Sequence, residues 1–173
     1  MAQIGAILGQ VVVATGAAFA FGKDLSVPTE TKDLALSLIA SSLFLAVYTV
    51  DLMSIGALRN QFKLWDTYHK LDRSKTPEPL LLAERAAANQ TEQMPTFFIA
   101  LWLGTFLLNA RVAGVLGLVW VGLRAGYTST MRNSAGQTWA AKAIGRFTIP
   151  AYFCISTMLM GATVNVLRQF PPF

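Results

Sequence analysis

The sequence predicts an all-α integral membrane protein, a four-helix bundle preceded by an additional apolar N-terminal helix. Of its 173 residues, 54% are hydrophobic and 13% are charged, whereas a soluble domain carries about 25% charged residues. The mean hydropathy is +0.48. Long apolar stretches alternate with short polar segments along the whole chain. We therefore divide it into an N-terminal helix and polar loop, residues 1–33, and a four-helix transmembrane domain, residues 34–173.

The charge and the metal-binding residue types exclude several function classes. A net charge of +5 fits basic loops on one side of a membrane, so we predict no nucleic-acid partner. The single cysteine, Cys154, lies in an apolar run and has no intrachain disulfide partner. His69 is also the only histidine, and we expect it in a solvated loop. No metal site and no Ser-His-Asp triad is predicted.

The N-terminal apolar segment runs from Ile4 to Phe21. A helix of this length covers about 27 Å, which barely reaches across a bilayer. The segment therefore either spans the membrane or lies against neighbouring helices. Pro28 interrupts the polar loop that follows, and Thr29 or Thr31 is expected to cap the next helix.

Leu34 to Leu58 is the first clear membrane span, and Asp51 is its one ionisable residue. Two interpretations of Asp51 remain open: an interfacial carboxylate near Arg59, or a buried partner for an arginine of another helix. The connector from Arg59 to Pro79 mixes charges with aromatic residues. This mixture is typical of a helical extension or of a segment at the lipid interface.

The remaining spans are predicted at Leu80–Leu108, Val112–Met131 and Trp139–Leu167. The turn Asn109–Arg111 is so short that the second and third spans must pack as antiparallel neighbours. Pro95 and Pro150 are expected to kink their helices.

The basic residues favour one orientation of the bundle. The connectors Arg59–Pro79 and Arg132–Arg146 hold most of them and lie on the same side of the predicted bundle. We expect that side to face the cytosol, stroma or matrix. The start of the second span and the end of the third span then meet near this surface.

A polar cluster is predicted at that depth. Arg85, Asn89 and Glu92 fall at i, i+4 and i+7, so a helix places them on one face. Arg124 and Tyr127 lie near the end of the third span. Charged groups at membrane depth usually face a protein interior or a wet cavity. The cluster either forms an internal ion-pair network or holds a small zwitterion such as glutathione.

Two segments carry a resemblance to a known family. The pattern ERxxxNxxExxPxF, from Glu84 to Phe97, resembles the second-helix signature of the MAPEG superfamily, the membrane-associated proteins of eicosanoid and glutathione metabolism. The segment LVWVGLRAGY, from Leu118 to Tyr127, is similar to that family's third helix. The resemblance covers about Leu34 to Arg168, and the apolar N-terminal segment lies outside the usual pattern.

The resemblance implies a four-helix subunit that assembles as a homotrimer in the lipid bilayer of the endoplasmic reticulum or of a mitochondrial or plastid membrane. Glutathione, as co-substrate, would bind between subunits near the cytosolic surface. The matching positions imply that glutathione is held by Arg85, Asn89, Glu92 and Arg124. The implied function is that of a microsomal glutathione transferase or peroxidase, acting on apolar electrophiles or lipid hydroperoxides.

The thiol-activating positions depart from the family pattern. Gln93 and Met131 stand where many active members have tyrosines, and Thr138 stands where the synthase branch has its arginine. Tyr127 and Arg132 are then the candidate catalytic residues. The alternative is a non-catalytic scaffold, or an accessory subunit of a larger membrane complex. A channel or transporter is disfavoured, because the charges lie near one end and no inverted repeat is visible.

Overall fold

The computed structural model describes residues 30–65, 73–134 and 144–169, Pro28, and seven positions between 9 and 20. Those seven positions are helical and fall within the predicted N-terminal helix; they are Gly9, Val12, Val13, Thr15, Gly16, Phe19 and Ala20. His69, Thr138 and most of Ile4–Phe21 lie outside the described residues. Both interpretations of that segment, a membrane span or a helix that lies against its neighbours, therefore stay predictions.

Four long helices make up the described chain, which confirms the all-α fold class. They are α1 (Thr31–Gln61), α2 (Glu78–Leu107), α3 (Ala110–Arg132) and α4 (Ile149–Gln169). A short 3₁₀ helix, Arg73–Lys75, precedes α2, and a π-helical turn, Ile144–Thr148, precedes α4. Each long helix overlaps one of the four predicted spans.

Within the described residues, three helices are long and apolar enough to cross a membrane: α1, α3, and α4 together with the residues from Gly145. They support an integral membrane protein. The α2 helix has 30 residues but does not join this set, and its first half carries Glu84, Arg85 and Glu92. Because charged side chains are unfavourable against lipid, we expect the polar half of α2 to face protein or water.

The helix boundaries follow the local sequence, with one correction. Thr31 does not cap α1: it is the first helical residue, and Glu30 occupies the N-cap position without a capping hydrogen bond. The Glu30 carboxylate instead pairs with Lys32 at 2.5 Å. Pro77 stands at the N-cap of α2 and Pro79 in its first turn, where a missing N–H donor removes no helical hydrogen bond.

The connection between α2 and α3 is as short as predicted. Asn109 caps α3, since its Oδ1 accepts from the amides of Arg111 at 3.1 Å and Val112 at 3.3 Å. The α2 helix continues through Pro95 as one helix. Pro150 lies in the first turn of α4, and the change of helix geometry precedes it, in the π-helical turn.

An aromatic core holds α1, α2 and α3 together. Phe97 of α2 stacks on Trp120 of α3 with ring centroids 4.1 Å apart, and Phe44 of α1 lies 5.1 Å from Phe97 and 5.3 Å from Trp120. All three side chains are at most 1% exposed. This packing holds α2 against α1 and α3 just past its polar half, which carries the predicted cluster.

Candidate functional site

Arg124 of α3 is the buried centre of the cluster. It is 3% exposed. Its Nε donates to Gln90 Oε1 at 2.9 Å, and its Nη2 donates to Asn89 Oδ1. Its guanidinium carbon lies 4.6 Å from the centroid of the Tyr127 ring. Two neutral amides of α2 and one aromatic ring of α3 therefore fix the orientation of this cation.

Asp51 of α1 extends the same network. It is 1% exposed, and its Oδ1 lies 2.9 Å from Arg132 Nη1. Arg132 Nη1 also donates to Ser54 Oγ at 3.0 Å. Gln90 Nε2 lies 3.5 Å from Asp51 Oδ2 and donates to it. Of the two interpretations of Asp51, the buried partner of an arginine from another helix is the one observed.

The predicted face of α2 is the open side of the cluster. Arg85 and Glu92 are exposed, and Asn89 between them is half-buried. The Tyr127 side chain interacts electrostatically with Arg124, Arg85 and Glu92. Asn89 and Tyr127 contact Arg124 directly, and Arg85 and Glu92 lie on the same face of α2 as Asn89. Arg132, the second candidate catalytic residue, is held against α1 instead.

The cluster has an accessible half and a buried half. Arg85 and Glu92 are exposed and Asn89 is half-buried, whereas Arg124 and Tyr127 are 3% and 6% exposed. Tyr127 packs among Ala86, Met131 and Phe147. A ligand at this face would therefore contact the α2 side chains directly, and Arg124 would act on it from behind through its charge.

A cleft adjoins Arg85 at the start of α2. Its volume is about 710 Å³, and it is lined by Arg73, Leu81, Glu84, Arg85 and Ala88. This volume is within the range of small-molecule sites. Glu84 also accepts from Arg59 Nη2 at 3.1 Å. Arg73 was not singled out from the sequence, because it lies in the polar connector, far from the helical motif.

A second cavity, of about 580 Å³, lies at the opposite end of the bundle. It opens between the start of α1 and the α2–α3 turn, and Lys32 and Arg111 are among its lining residues. None of the six predicted site residues lines it. It therefore plays no part in the chemistry of the cluster.

Two further residues of the cluster were not identified from the sequence. Gln90 bridges Asp51 and Arg124, and the signal for it was available: it lies one position past Asn89, on the α2 face that carries Phe97. Tyr152 of α4 lies 3.5 Å from Gln93, measured from its Oη to Gln93 Nε2. No local pattern in the sequence connects α4 with this part of α2.

The sequence matches a family model described as the MAPEG family over residues 37–164. This range contains all of α2 and α3, α1 from Ser37 onward, and α4 as far as Val164, and it includes every residue of the cluster. The match confirms the resemblance that the second-helix and third-helix segments indicated. A search of curated proteins found no match.

Proposed function

The chain belongs to the MAPEG family, and from this premise we propose that it binds glutathione at the α2 face and uses its thiol as a nucleophile or reductant. The acceptors would be apolar electrophiles or lipid hydroperoxides. In general the family comprises membrane glutathione transferases and proteins of eicosanoid metabolism. The proposal for this chain rests on one observation: Arg85, Asn89 and Glu92 lie on one face of α2, where Arg85 and Glu92 are exposed and Asn89 is half-buried.

The groups on this face match the charges of glutathione. The tripeptide has two carboxylates, one ammonium group, two peptide bonds and a thiol. Arg85 would pair with a carboxylate through a two-pronged guanidinium contact, and Glu92 would pair with the ammonium group. Asn89 would donate from its amide nitrogen, because its Oδ1 already accepts from Arg124. Arg73, across the adjoining cleft, would offer a second cation.

Arg124 would favour the reactive form of the thiol. A free thiol has a pKa near 8.5, so only a small part is thiolate at pH 7. The hydrogen-bond partners of Arg124 are the neutral amides of Gln90 and Asn89, and the Asp51 carboxylate lies beyond Gln90. Within the described residues, Arg124 therefore forms no hydrogen bond to a carboxylate. A cation held behind the binding face stabilises the thiolate. An apolar acceptor would reach the thiolate from the lipid.

Turnover measurements test the proposal. Purified protein in lipid nanodiscs is given glutathione with a chlorinated dinitrobenzene or with a lipid hydroperoxide. We expect Arg85→Ala to lower kcat/KM by about 10- to 100-fold, as expected for loss of a charged hydrogen bond, mainly through KM. The matched control is Arg111→Ala, an exposed arginine at the other end of the bundle. An Arg85→Ala variant as active as the wild type would refute the assigned site.

The alternative is a scaffold or an accessory subunit, and one observation favours it. Asp51, Gln90 and Arg124 form a continuous network that connects α1, α2 and α3 and includes Arg132. Such networks stabilise membrane bundles without any catalytic role. A scaffold would not bind glutathione, and it would migrate with a larger assembly instead of as a small oligomer. The native mass therefore separates the two functions.

A further inference from the structure

Tyr152 brings a hydroxyl group from α4 to the open side of the cluster. Its Oη accepts a hydrogen bond of 3.5 Å from Gln93 Nε2, and Gln93 directly follows Glu92 on α2. We propose that Tyr152 is a further catalytic residue, whose hydroxyl donates a hydrogen bond to the glutathione thiolate. This inference rests on the proposed function and names the group that contacts the reacting sulfur.

Accessibility distinguishes Tyr152 from the other tyrosine of the cluster. Tyr152 is 45% exposed, whereas Tyr127 is 6% exposed. Tyr127 packs under Phe147, and the Arg124 guanidinium covers its ring. A ligand bound along Arg85, Asn89 and Glu92 would meet the Tyr152 hydroxyl before it could reach that of Tyr127.

The hydrogen bond from Gln93 determines what the hydroxyl can do. The Gln93 amide donates, so the Tyr152 oxygen is the acceptor in this contact. The phenolic hydrogen can then be donated to another group. A hydroxyl that accepts one hydrogen bond is also a better donor for the next one. Gln93 would therefore orient Tyr152 toward the ligand face.

Tyr152 belongs to a group of interacting side chains that also contains Arg124, Tyr127 and Glu92. In the proposed complex the ammonium group of glutathione would neutralise Glu92, which leaves Arg124 as the charge that acts on the sulfur. An anionic sulfur beside its hydroxyl would lie in the field of the Arg124 cation. The hydroxyl would supply a directed contact, and the arginine would supply the charge.

With a chlorinated aromatic acceptor, the glutathione sulfur replaces the chlorine on the ring. The glutathione thiol releases its proton to water, and the thiolate accepts a hydrogen bond from Tyr152. The sulfur forms a bond to the ring carbon, and chloride leaves with the electron pair of the carbon–chlorine bond. Tyr152 keeps its own proton throughout.

Tyr152→Phe tests this role with little change of shape. We expect glutathione affinity to stay within about twofold, because the α2 contacts remain. The thiolate titration of bound glutathione, followed by its ultraviolet absorbance, should move up by about one pH unit, as expected for loss of one hydrogen bond to a charged group. At pH 7, kcat should fall about tenfold and recover as the pH is raised.

Two other variants complete the test. Tyr48→Phe is the matched control, because Tyr48 of α1 also accepts from an α2 side chain, Thr91, at 3.2 Å; its thiolate titration should equal that of the wild type. Gln93→Leu keeps the Tyr152 hydroxyl but removes its orienting donor, so we expect a smaller shift in the same direction.

Each outcome decides the question. An unchanged thiolate titration in a Tyr152→Phe variant that binds glutathione overturns the role of Tyr152 and leaves the proposed function intact. Loss of glutathione binding in that variant also overturns it, because Tyr152 would then be a binding residue. If the wild type itself binds no glutathione, the proposed function fails, and this inference fails with it.

Discussion

At the residue scale, Asp51 shows how a charge is accommodated inside the bundle. A carboxylate that is 1% exposed is stable only where partners replace its hydration, and Arg132 and Gln90 are those partners. We expect Asp51→Ala to lower the free energy of unfolding by about 2–4 kcal/mol, because it leaves Arg132 without its counter-charge. Denaturation in detergent micelles measures this loss.

The control for this prediction lies on the same helix. Asp33 is an exposed acidic residue in the first turn of α1, so Asp33→Ala should change the free energy of unfolding by less than about 0.5 kcal/mol. An Asp51→Ala variant as stable as Asp33→Ala would contradict the view that the ion pair stabilises the bundle.

Individual residues also show what the sequence can and cannot predict. The spacing of Arg85, Asn89 and Glu92 was enough to place them on one face, because a helix has a fixed period. The partner of Asp51 was left open, since both interpretations satisfy the same sequence. Tyr152 could not be identified, because its proximity to Gln93 depends on how α4 packs against α2, and that packing leaves no local pattern in either segment.

At the element scale, α1 and α3 approach closely at Gly114. A Cβ at position 114 would lie 3.1 Å from the carbonyl carbon of Leu36 and 3.1 Å from the amide nitrogen of Ser37. Those atoms belong to the α1 backbone and cannot rotate away. We expect Gly114→Ala to lower the free energy of unfolding by about 1–3 kcal/mol through overpacking, measured by denaturation in detergent.

Gly122 provides the matched control on the same helix. A Cβ there would meet no atom of a neighbouring element or side chain within 4 Å. Alanine therefore adds only its better helix propensity, worth up to about 1 kcal/mol. Gly122→Ala should be neutral or slightly stabilising. If Gly114→Ala also proved neutral, the close contact between α1 and α3 would be refuted.

The elements themselves were largely predictable, because long apolar stretches have few alternatives to a helix in lipid. The ends of the helices were less predictable. Thr29 or Thr31 was expected to cap α1, but Glu30 takes that position and its side chain pairs with Lys32. The π-helical turn before α4 was also not predicted. A kink was expected at Pro150, and the π-helical turn lies before it, at Ile144–Thr148.

At the scale of the whole molecule, the exposed face of α2 is unlike those of α1 and α3. It carries Arg85 and Glu92, and Glu92 lies about 21 Å along the helix from its first residue, at 1.5 Å rise per residue. Charged side chains are unfavourable against lipid. We therefore expect a second protein surface to cover this face, and the homotrimer implied by the family would provide one.

The native mass tests this arrangement. We expect native mass spectrometry to give about 56 kDa, three times the 18.8 kDa chain. Ile99 of α2 is 56% exposed on the face of Glu92, and Val119 of α3 is 49% exposed on an apolar face. Ile99→Trp should shift the mass toward the monomer, because a large ring does not fit a packed interface, whereas lipid should accommodate Val119→Trp. Equal masses for the two variants would contradict an α2 interface, and migration with a larger assembly would favour the accessory subunit.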